Sequence, residues 1–131
     1  MKKVKIILSA LWAARMLSSL QGDSTRFHDP VALKELVAGT TEITATNTLL
    51  LVMSIIMAVP IFMSFLSLTL KDKANRRANL IIGIFFVLFE LVFLIFVYSK
   101  APAYEIFWGI TYLLFASLVV WYAWRWRVEK A

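Results

Sequence analysis

The chain is predicted to be an all-α integral membrane protein, a four-helix bundle with a short outer interfacial helix and both termini in the cytoplasm. Of its 131 residues, 61% are hydrophobic and only 17% charged. That is more apolar surface than a soluble domain of this size can bury. The apolar residues gather into four runs, at 4–21, 49–70, 79–99 and 106–124, each close to the roughly 20 residues that cross a bilayer. Ten basic residues cluster at alternate ends of these runs: Lys2, Lys3, Lys5, then Lys71, Lys73, Arg76, Arg77, then Arg125, Arg127, Lys130. The other connections hold only Arg26, Lys34 and Lys100, set against Asp23, Asp29, Glu35, Glu42 and Glu105. Basic residues favour the cytoplasmic side, so both termini and the central loop are expected there.

The net charge of +6 would point to nucleic acid in a soluble protein. Here topology already accounts for the basic clusters, and no nucleic-acid partner is expected. The absence of cysteine removes disulfides, thiol redox chemistry and thiolate metal sites. With His28 the single histidine, no metal centre is expected.

The first run, 4–21, is short and interrupted by Arg15. A cleaved signal peptide is the competing reading, but Arg15 falls where its apolar core should continue, so a retained span is expected. The outer loop, 22–48, contains DPVALKELVAG. Asp29 suits the cap, Pro30 the first helical position and Gly39 a left-handed terminator, which predicts a helix over 30–38. Leu33, Leu36 and Val37 share one face, as in a helix lying on a membrane or covering the bundle.

The second run, 49–70, contains Pro60, which kinks a helix but is tolerated where neighbours satisfy the freed carbonyl. Met53, Met57, Pro60 and Ser64 share a face. That face suits either a methionine-lined pocket for an apolar ligand or core packing, the commoner use of methionine. The basic loop 71–78 is expected to orient its flanking helices. Tyr98, Tyr104 and Trp108 would mark the outer interface, and Trp121, Tyr122, Trp124 and Trp126 the inner one. No internal repeat divides the chain, so residues 1–131 are read as a single transmembrane domain.

The third run places Glu90 mid-span. Arg15 lies about ten residues beyond Lys5 and Glu90 about eleven beyond Asn79, so at 1.5 Å per residue both sit roughly 15 Å deep. That is near the centre of a hydrocarbon core roughly 30 Å thick. An unanswered charge there costs at least ~2.5–3.5 kcal/mol, and an opposite charge at the same level offsets it. Arg15, Glu90 and Tyr112 are therefore expected to converge inside the bundle. Trp12 lies on Arg15's stripe, and Gly109 and Ala116 beside Tyr112 permit close helix approach. Such a centre is either a ligand site or an internal clamp, and no nucleophile–base pair points to catalysis.

At KANRRANLIIG and WYAWRW the chain resembles an uncharacterised bacterial family of small four-helix membrane proteins, known only as a domain of unknown function. That family shows a similar basic Ala-Asn-Arg-x-Ala-Asn stretch and Trp-Tyr-Ala-Trp ending. It carries an acidic residue just before the proline of the second span, where this chain has Ala58 and Val59. More distantly the layout is similar to DoxX-like proteins, some of them small subunits of quinone-linked oxidoreductases, an analogy of fold more than of activity.

These readings together predict a multi-pass protein of the bacterial inner membrane, acting as a DoxX-like accessory or as a binder of lipophilic ligands. Arg15, Glu90, Tyr112, Trp12, Met57 and Pro60 are its candidate polar centre and pocket. No obligatory cofactor is implied, a quinone or a lipid being the ligand such a centre would accommodate. The bilayer, and a membrane-protein partner or a second copy of the chain, are the expected partners. A small dimeric multidrug or ion transporter using Glu90 and a purely structural assembly subunit are the alternatives.

Overall fold

A computed structural model describes residues 2–41 and 43–129. Glu42 and Lys130, both counted in the charge pattern, lie outside the described residues. Five α-helices follow one another: α1 (Lys3–Phe27), α2 (Pro30–Ala38), α3 (Asn47–Thr69), α4 (Asp72–Phe96) and α5 (Ala103–Arg125), with a 3-10 turn at Tyr98–Lys100 before α5. No strand occurs among the described residues.

Helices α3, α4 and α5 are each long and apolar enough to cross a membrane. Their apolar side chains point mostly outward, and in α3 only 11% of the most apolar stretch is buried inside the protein. Helix α1 equals α4 in length but is not among these three, because Lys5, Arg15 and several polar residues dilute its apolar character. Its C-terminal boundary also differs from expectation. The helix runs through Gly22 to Phe27 rather than giving way to a loop at residue 22. The basic stretch expected as a loop over 71–78 is instead the start of α4, from Asp72 onward.

The punctuation of α2 follows local chemistry. Asp29 accepts from the Val31 N–H, Pro30 occupies the first turn and Gly39 ends the helix at φ 68°, a region that costs glycine least. Thr46 caps α3 by accepting from the Leu49 N–H at 3.1 Å. Elsewhere the ends are capped from a distance. Lys5 Nζ donates to the Leu70 carbonyl at the end of α3 (2.8 Å). Arg76 donates to the Ala123 (3.1 Å) and Trp124 (3.3 Å) carbonyls at the end of α5. Cations thus meet the negative ends of two helix dipoles, and Lys2 and Lys5 both pair with Asp72. Part of the basic cluster is structural capping.

Helix α1 packs along α3 and α5, and α4 along α5, whereas α3 and α4 share little backbone contact despite being consecutive. The core consists of Leu8 and Trp12 (α1), Met63 (α3), Phe86 (α4), Ala116, Val119 and Ala123 (α5), closed by Trp126. Trp126, assigned by sequence to an interfacial belt, is buried at 7% exposure. Trp121 and Trp124 stay exposed. Gly83 brings α4 against α5, since a Cβ there would lie 3.0 Å from Val120 Cγ2 and 3.2 Å from Val119 Cγ1.

Candidate functional site

Two buried polar groups lie along one stripe of α4 formed by Asn75, Asn79, Gly83, Phe86 and Glu90, all buried. The spacing of three to four residues keeps them on one face. Nearer the basic end, Trp12 Nε1 donates to Asn79 Oδ1 at 2.7 Å, and Ser67 Oγ to the same oxygen at 3.3 Å. Asn79 Nδ2 donates to the Asn75 carbonyl (3.0 Å) and Asn75 Oδ1 (2.7 Å), while Asn75 Nδ2 donates to the Ser67 carbonyl (2.7 Å). This network joins α1, α3 and α4, and its members are fully satisfied, as burial demands.

Further along the stripe Arg15 Nη2 donates to Glu90 Oε1. The pair is buried, at 2% and 4% exposure. It reaches across the protein from α1 to α4, helices joined by side chains rather than by close backbone approach. The guanidinium carbon lies 4.5 Å from the centroid of the Phe86 ring and 5.8 Å from that of Tyr112, within reach of cation–π attraction. Nε and Nη1 of Arg15 have no hydrogen-bond partner.

Beside the pair is a cavity of about 160 Å³. That far exceeds the ~10–15 Å³ needed by a single water. Arg15, Ser19 and Asp23 of α1, Met53, Ile56 and Met57 of α3, Phe89, Glu90 and Phe93 of α4, Tyr98 and Tyr112 line it. Asp23, Tyr98 and Tyr112 also border a smaller pocket of about 30 Å³ near the Arg26–Glu105 ion pair (3.4 Å). Gly22 makes room for Tyr112, since a Cβ at residue 22 would come 1.8 Å from its hydroxyl oxygen. At this end Tyr104 donates its hydroxyl to Asp29 Oδ2 at 2.6 Å, tying α5 to the cap of α2. That bond holds the Asp29 carboxyl below the usual carboxylate range.

Of the six residues singled out from sequence, Arg15, Glu90, Tyr112 and Met57 line one cavity. Met57 Sδ accepts from Ser19 Oγ at 3.9 Å. Trp12 and Pro60 do not line it. Trp12 is core, its indole spent on Asn79, and Pro60 is buried in α3. The face Met53–Met57–Pro60–Ser64 is split accordingly: its methionines border the cavity, while the Ser64 carbonyl accepts from Ser9 at 2.6 Å. Sequence reasoning missed Ser67 and Asn75. The available signal was Asn75 and Asn79 set four apart, in phase with Glu90. Among the described residues no group of His, Cys, Asp and Glu could hold a metal ion.

A family model described as "Family of unknown function (DUF6326)" matches residues 1–131. No curated protein and no solved structure matches the chain.

Proposed function

The chain belongs to the DUF6326 family, whose function is unknown, and from its own residues we propose a four-span inner-membrane protein that binds a lipophilic ligand beside the Arg15–Glu90 pair. In this reading α1 is the fourth span. Its charged residue at mid-helix is answered internally, which lowers the cost of placing it in hydrocarbon. Both termini and the α3–α4 junction, with the lysines and arginines of the first turns of α4, lie in the cytoplasm. Helix α2, with Val31 and Val37 67% and 81% exposed, rests on the opposite membrane surface. The observation that carries the proposal is the cavity: apolar methionine and phenylalanine walls leading to one charged pair, the usual make-up of a ligand site.

A cavity-filling substitution tests it. Native mass spectrometry of protein released from nanodiscs should find a retained lipophile on the wild-type chain and not on Met57→Trp. Equal retention by both, or none by either, would contradict the proposal.

A DoxX-like accessory role would add a co-purifying membrane partner. A second reading is favoured by one observation: the pair links two helices whose backbones hardly touch. On that reading it is a clamp that fixes their relation. Transport through Glu90 is less well supported, since its carboxylate is already engaged by Arg15.

A further inference from the structure

The cavity beside Arg15 and Glu90 and the smaller pocket near Arg26 adjoin, sharing Asp23, Tyr98 and Tyr112 as walls. Asp23 follows Arg15 by eight residues of α1, so at 1.5 Å per residue it lies about 12 Å further toward α2. On the proposed topology that is the outer interface, and Asp23 and Arg26 are both exposed there. The smaller pocket is thus the outer vestibule of the cavity.

The shared wall carries an unused polar group. Tyr112 is only 8% exposed, and its hydroxyl has no partner in the protein. The hydroxyl is not sealed in, since Arg15 Nε and Nη1 are the enclosed, unpartnered side-chain atoms among the described residues. It lies against Gly22, itself a wall of the vestibule, and so faces that space.

The charges decide what kind of head fits. Arg15 is paired with Glu90 and Arg26 with Glu105, whereas Asp23 takes part in no ion pair among the described residues. The walls therefore hold one surplus negative charge, and an anionic head would meet it. The rings of Tyr98, Trp108 and Tyr112 border the same space, and aromatic faces attract cations as a carboxylate does. At about 30 Å³ the vestibule is little larger than the ~10–15 Å³ that one water needs. That suits an ammonium group with three donors and is too small for a trimethylated one.

We infer that the protein takes a lipophilic primary amine, its ammonium group held by Asp23 among Tyr98, Trp108 and Tyr112 and its apolar tail lying between Met57 and Phe93. This rests on the ligand-binding proposal and adds the charge, size and position of the head group.

The test titrates the full-length chain, in nanodiscs of zwitterionic lipid, with decylamine, decanol, decanoic acid and the decyltrimethylammonium ion. Bound fractions are read by native mass spectrometry. Decylamine should bind at least about tenfold more tightly than decanol, the gain expected from charge-assisted hydrogen bonds and cation–π contact. Asp23→Asn should abolish that preference and leave decanol binding unchanged, while Met57→Trp should abolish binding of both. Should Asp23→Asn not fold, the wild-type order of affinities still decides. Amine and alcohol binding equally, both blocked by Met57→Trp, would overturn the head-group assignment and leave the cavity proposal standing. So would an amine preference that survives Asp23→Asn. Decanoic acid or the trimethylammonium ion binding most tightly would overturn the primary amine, and no binding of any probe would overturn both proposals.

Discussion

Trp12 and Asn79, on helices α1 and α4, are joined by a 2.7 Å hydrogen bond through the middle of the core. The indole has a single donor and the amide oxygen accepts from Ser67 as well, so Asn79 is the hub on which three helices depend. Asn79→Leu would strand the Trp12 donor and an Asn75 acceptor, whereas Trp12→Phe removes a donor along with its demand. The expected cost in detergent unfolding is about 1–3 kcal/mol for each group left unsatisfied by Asn79→Leu. Trp12→Phe should lose less through the polar network.

Gly22 and Tyr112 make a second test of packing. Alanine normally stabilises a helix by roughly 0.5–1 kcal/mol over glycine. Here its Cβ would collide with the Tyr112 hydroxyl, so Gly22→Ala should lower the melting temperature. In a Tyr112→Phe background that penalty should shrink, because the colliding atom is gone. An equal penalty in both backgrounds would show that the hydroxyl is not what Gly22 accommodates.

Acid stability should depend on Asp29. Its carboxyl titrates below the usual range because the Tyr104 hydroxyl donates to the charged form. A depressed folded-state pKa adds stability that is fully present above the unfolded value of about 3.9. That contribution fades as pH falls through the folded value. Tyr104→Phe or Asp29→Asn should therefore flatten the acid limb of a melting-temperature profile. Asp29→Asn keeps a cap, so neither variant should remove α2.

Topology is directly testable because the chain has no cysteine to remove. With single substitutions Lys3→Cys, Lys73→Cys, Val37→Cys and Ala101→Cys, an impermeant maleimide applied to intact cells should label only the last two. Labelling of Lys73→Cys from outside would overturn the assignment of the basic end to the cytoplasm.

What the sequence revealed, and what it hid, has a physical pattern. The apolar runs locate α3, α4 and α5 because period and hydropathy are local properties. The caps of α2 are local too, and Asp29, Pro30 and Gly39 take the roles their chemistry suits. The juxtaposition of Arg15 with Glu90 could be argued from depth because a lone charge in a long apolar run demands an answer. Asn75 reads as part of a loop, since seven of the nine residues in KDKANRRAN are charged or polar. Burial there depends on Ser67 and Trp12, from other helices, which no local signal contains. Trp126 misled for the same reason: an aromatic near a span's end reads as interfacial, yet the chain turns extended at that residue and it closes the core.

The account turns most directly on Arg15 and Glu90, and a double-mutant cycle in detergent unfolding measures their bond. Arg15→Leu and Glu90→Leu should each cost about 3–5 kcal/mol by leaving a buried charge unpaired. The double variant should cost less than either single change, so the coupling should exceed the larger single cost, above about 3 kcal/mol. Single effects that simply add in the double variant would show that the two groups do not meet inside the protein.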